Sequence, residues 1–84
     1  MSRVALIGII VENTGVTDRI NAVLSDYRDI IIGRMGLPYR QRDISIISVC
    51  VDGPEDMINA LSGKIGSLPG VTTKTVYSNV INDK

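Results

Sequence analysis

A chain of 84 residues is enough for one domain, expected to span 1–84, and nine basic side chains balanced by nine acidic ones give no net charge to draw it onto nucleic acid or an anionic membrane. The single cysteine, Cys50, cannot form an internal disulfide, and the absence of histidine removes the commonest general base and the commonest metal ligand. No run reaches the ~20 apolar residues that span a bilayer, and the apolar start ends at Glu12 without a cleavage-type small-residue site, so a cytoplasmic protein is expected.

The stretch RVALIGIIVE, 3–12, is rich in β-branched residues and stops at the turn cluster Asn13-Thr14-Gly15, which predicts a first strand. Over 16–27, Val16, Ile20, Val23, Leu24 and Tyr27 recur at helical spacing. Asn13, Thr14 and Thr17 are candidate N-caps of this first helix, and Asp18 suits its first turn. DIIIGRMGL, 29–37, is too short and too β-branched for a helix with two internal glycines, and is read as the second strand. PYRQRD, 38–43, forms the hairpin, with Asp43 suited to the left-handed conformation, and ISIISVCVD, 44–52, is the third strand.

Over 52–68 the spacing predicts a second helix whose stripe is Ile58, Leu61, Ile65 and Leu68. Pro54 fits its first turn, and Glu55 and Asp56 favour its positive end. Pro69-Gly70 ends it, and VTTKTVYS, 71–78, is the fourth strand. The order β-α-β-β-α-β predicts an α+β, ferredoxin-like sandwich: a four-stranded antiparallel sheet with two helices on one face.

The helices of such a fold cover one sheet face, so the other should alternate to polar residues where it meets water. It does not. Ala5, Ile7, Ile9 and Val11 alternate with Val4, Leu6, Gly8 and Ile10, and Ile47, Val49 and Val51 alternate with Ile44, Ile46, Ser48 and Cys50. Both faces of the two central strands are apolar. A soluble monomer rarely shows more than a few hundred Å² of contiguous apolar surface, so a homo-oligomer, dimer or tetramer, is expected, with Ile44, Ile46, Cys50 and Arg34 at its interface.

The words IIGRMGLPYR, ISIISVCVDGPEDMINALSGKIG and LPGVTTKTVYS closely resemble the small iron-only hydrogenase system regulator family, and the likeness runs from the first strand to Tyr77. That family is similar to ACT-type regulatory domains and to the ligand-binding domain of nickel-responsive repressors. The resemblance implies an oligomeric ACT-like domain with a regulatory role. Nickel-responsive relatives use histidine ligands, which this chain lacks. They also carry a separate DNA-reading segment before this kind of domain; here the first strand begins at Arg3, so direct nucleic-acid binding is not expected. In ACT-type domains the effector often sits at a subunit interface near the first strand–helix turn, here Asn13, Thr14 and Gly15.

Other chemistry is thinly represented. GRMG is not a dinucleotide fingerprint, LSGK lacks the earlier glycine of a P-loop, and no carboxylate pair is placed for acid–base work. No catalytic residue, metal or cofactor is expected. Arg28, Arg34, Arg40 and Arg42 cluster around the second and third strands, and arginine offers a planar fork for carboxylates and phosphates. The setting of Arg34 between Gly33 and Gly36 suggests a bulged strand that turns it toward a neighbour. Its partner is then either a carboxylate of another subunit (Asp26, Asp29 or Asp43) or a small anionic ligand held with Asn13, Thr14 and Gly15. The composite expectation is a non-catalytic oligomeric regulatory domain acting through a small ligand or a protein partner. The alternatives are a scaffold that binds an assembly factor, and a stand-alone DNA-binding regulator.

Overall fold

Alternating burial along the strands organises the protein. In a computed structural model, which describes residues 2–80, strand β1 (Ser2–Val11) sends Ala5, Ile7, Ile9 and Val11 into the core and leaves the residues between them at least partly exposed. Strands β2 (Ile31–Tyr39), β3 (Ile44–Pro54) and β4 (Val71–Tyr77) join it in one antiparallel sheet of order β2-β3-β1-β4. Helices α1 (Thr17–Asp26) and α2 (Glu55–Gly66) complete the expected ferredoxin-like α+β fold. Met1 and 81–84, which the expected domain bounds include, lie outside the described residues. Among those described, no helix is long and apolar enough to cross a membrane.

The helical stripes meet the inner sheet face as their spacing predicts. Ile20 and Leu24 of α1 and Ile58, Leu61 and Ile65 of α2 are 0–2% exposed, as are Ile7, Ile9, Val49 and Val51. Each such aliphatic side chain contributes about 1.5–3 kcal/mol when taken out of water. Among the described residues no polar side chain is buried with them, so the core gains its stability from burial alone.

The boundaries differ from expectation at several element ends: β2 runs on through Pro38 and Tyr39, which were expected in the hairpin, α2 ends at Gly66, and three further shifts have a visible cause. Residues Thr14–Val16 form a 3-10 turn ahead of α1, with the Asn13 side chain accepting a hydrogen bond from Gly15 N, so the helix begins at Thr17. A second 3-10 turn, Arg28–Ile30, sinks Ile30 into the core and delays β2 to Ile31. Pro54 is extended (φ −59°, ψ 141°) and pairs with Ser2, so β3 runs on to it, and it caps α2 from outside instead of lying in its first turn. Asp43, at φ 57°, takes the left-handed position expected of it in the hairpin.

Gly70 is the one described glycine with a positive φ, at 74°, and its carbonyl accepts from Glu12 N at 2.7 Å. A Cβ there would stand 2.7 Å from the Asn13 Cβ. Gly70→Ala should therefore lose at least about 1–2 kcal/mol, from left-handed strain alone. A urea midpoint equal to that of the wild type would show that the turn yields more freely than this geometry allows.

Candidate functional site

The opening of the site lies on β2, which pairs only with β3 and is exposed at every residue after Ile31. Its register slips once: Ile31 faces Val51, but Gly33 already faces Cys50. One residue, Ile32, is thus extra on β2, a bulge of the kind expected near Gly33. Below the bulge, Arg34 pairs with Val49 and Gly36 with Ile47, both buried on the helix side of the sheet. Arg34 therefore points to the same side as the helices.

There its Nη2 donates to Asn21 Oδ1 of α1 at 3.0 Å. Asn21 and Thr17 stand four residues apart on one helical face. Between that face and the β2–β3 edge runs a groove of about 250 Å³, whose polar rim is Thr17, Asn21, Arg34 and Ser45 and whose floor includes the buried Val11 and Ile47. Among the described residues no carboxylate lines the groove. The ion pair among the described residues joins Arg3 to Glu55, so Asp26, Asp29 and Asp43 of the same chain do not pair with Arg34.

The glycines flanking Arg34 do not accommodate any close contact within the chain. A Cβ at Gly33 or Gly36 would meet nothing within 4 Å, and neither residue has a positive φ. At Gly36, which faces the groove, the missing side chain keeps that space open.

Residues expected to act together are separated. Asn13, Thr14 and Gly15 are exposed in their 3-10 turn, and none of them lines the groove that holds Arg34. Ile46 and Cys50 pair with Ile10 and Leu6 on the opposite, outer face of the sheet, where Ile44 also points by alternation. Arg34 is thus on the other side of the sheet from the three residues grouped with it. Asn21 was missing from the sequence reading, and Thr17 entered it only as a candidate N-cap. Their signal was a polar i, i+4 pair beside the Val16-Ile20-Leu24 stripe.

The outer face is apolar and uncovered. Val4, Leu6, Ile10, Met35, Leu37 and Val76 are 37–71% exposed, and Ile46, also 37% exposed, sits among them between Ile10 and Leu37. Cys50 lies in a shallow hollow of this face beside Leu6, Ile32 and Val76.

A second polar cluster ties the strand and helix ends together. Arg3 packs 4.4 Å over the Tyr77 ring, donates to Glu55 Oε1 and donates to the Ser78 carbonyl at 3.1 Å. Tyr77 donates to Asn59 Oδ1 at 2.8 Å, and desolvation, then the Glu55 charge, raises its pKa above the ordinary phenol value. This clasp links β1, α2 and β4. No group of three or more Cys, Asp or Glu side chains among the described residues could hold a metal ion.

Comparison with known proteins places the fold. The model of the TM1266-like family, "Iron-only hydrogenase system regulator, putative", matches residues 3–75. The uncharacterized protein TM1266 from Thermotoga maritima is 32% identical and superposes with a TM-score of 0.87 over 92% of this chain and 98% of its own. A formyltetrahydrofolate deformylase from Pseudomonas putida KT2440 is 14% identical with a TM-score of 0.67, over 92% of this chain but 30% of its own, and shares the fold alone. No curated protein matches the chain.

Proposed function

The chain belongs to the TM1266-like family, and on that premise we propose that it is a non-catalytic regulatory domain of an iron-only hydrogenase system. It works in the cytoplasm as a homo-oligomer, dimer or tetramer, and answers to a small anionic ligand or a protein partner. The observation that carries the oligomeric part is the outer face of the sheet. Seven large apolar side chains there, from Val4 to Val76, are at least 37% exposed, and the two helices lie on the other side of the sheet. Soluble monomers rarely leave such a face to water, and a second copy is its simplest cover.

Light scattering at micromolar concentration tests this directly. A dimer or larger species is expected; a compact, stable monomer overturns the reading. Native mass spectrometry of protein from its own host separates this reading from its alternative, since a retained small molecule supports the regulatory domain and a retained protein supports a scaffold that binds an assembly factor. Balanced charge leaves no electrostatic footprint for DNA. The protein should therefore not shift its own upstream DNA in a mobility assay with competitor present. A shift that survives competitor and weakens with salt would establish DNA binding instead.

A further inference from the structure

We infer that the groove between α1 and β2 binds a short aliphatic carboxylate. The inference rests on the regulatory reading above and gives its ligand a chemical class and a place. Arg34 is the central observation. It stands at the rim with a neutral amide, Asn21, as its side-chain hydrogen-bond partner. A guanidinium carries five N–H donors in a fork that matches a carboxylate. One of its nitrogens is oriented by Asn21, and none meets an acidic group in the groove.

The floor sets the rest of the ligand. Val11 and Ile47 are apolar and buried, and Pro38 closes the strand side. Beside that floor the exposed Pro38 still shows apolar surface to water, which an anion alone leaves wet and a carboxylate with a short hydrocarbon body covers. Among the described residues no acidic side chain lines the groove to receive an ammonium group, which disfavours zwitterions. At about 250 Å³ the groove lies below the roughly 300–1,000 Å³ of sites for drug-sized ligands. The occupant is therefore small.

Gly36 supplies an independent argument. Nothing among the described residues requires glycine there: its φ is not positive and its missing Cβ would touch none of them. Glycine in a strand interior is unfavourable by backbone entropy. The residue makes sense where the space it leaves is used by something outside the chain.

The test uses 3-methylbutanoate as probe, with inorganic phosphate and neutral 3-methylbutanol as comparisons, read by saturation-transfer NMR and by melting temperature over a titration. 3-Methylbutanoate should bind saturably and raise the melting temperature, the alcohol and phosphate at least tenfold more weakly. Arg34→Gln should weaken 3-methylbutanoate binding tenfold or more. Gly36→Val should abolish it while melting, without ligand, no lower than the wild type, because a β-branched residue favours the strand. Absence of saturable binding, binding that survives Gly36→Val, or equal binding of phosphate or the alcohol overturns the proposal. Sedimentation of the same samples separates the two readings. An oligomer that fails to bind refutes the groove alone, whereas a monomer that binds through Arg34 and Gly36 supports the groove and refutes the oligomer.

Discussion

Leu61→Ala should remove a large share of the stability of this fold. Leu61 is fully buried on the α2 stripe, between Ile58 and Ile65, which are buried as completely. Truncating such a leucine costs about 2–5 kcal/mol, the lost transfer energy plus the cavity left behind. At roughly 0.05–0.15 kcal/mol per residue, a chain of 84 residues has about 4–12 kcal/mol to lose. This core has little reserve. The chain has no Trp, Phe or internal disulfide, so neighbouring isoleucines must fill the space, and their branched Cβ atoms repack poorly. Urea denaturation at one fixed protein concentration should show a lower midpoint with an unchanged slope. Leu68, half-buried at the edge of the same core, should lose less on the same substitution. A Leu61→Ala variant within 1 kcal/mol of wild type would mean that α2 collapses onto the sheet and fills the cavity.

The parts of this fold legible in the sequence were those where one period rules a whole element. In β1 and β3 strict alternation separated Ile7, Ile9, Val49 and Val51, all buried, from Leu6, Ile10 and Ile46, all partly exposed. The stripes of α1 and α2 were legible for the same reason. Of the site only Arg34 was legible, and the side of the sheet it faces was not, because that depends on a parity change. Counting by twos from Ile31, which pairs with a core residue, sends Gly33 and Met35 to the helix side. The extra residue at Ile32 reverses this and sends Arg34 and Gly36 there instead. The neighbouring glycines hinted at a bulge, but its position is set by pairing with β3, which local sequence does not encode. The 3-10 turn at Arg28–Ile30 escaped for a related reason. Ile30 opens a run of three isoleucines that reads as strand, yet it is buried in the core from within the 3-10 turn. Asn21 matters only once Arg34 is known to face α1.

If two copies meet through the outer face as proposed, Ile46→Glu should leave a folded monomer. Ile46 lies on β3 between Ile10 of β1 and Leu37 of β2, near the middle of the outer face. It is 37% exposed in the isolated chain, so a glutamate there can keep its carboxylate in water while the chain is alone, and the core on the other side of the sheet is untouched. Once two copies pack face to face, that carboxylate is buried among apolar side chains without a partner, at a cost of several kcal/mol. A two-fold interface contains the substitution twice. A total near 4 kcal/mol would weaken association about a thousandfold. Ile46→Thr is the control, since it keeps a β-branched side chain and adds no charge; it should weaken association far less. Sedimentation velocity over a dilution series measures both, and urea denaturation at low concentration checks that the monomers are folded. Arg34→Ala gives the complementary result. Its side chain lies on the helix side of the sheet, so the variant should assemble as the wild type does. If Ile46→Glu remains an oligomer while Arg34→Ala dissociates, the subunits meet through the β2 edge and the groove, and the apolar outer face is covered by something other than a second copy.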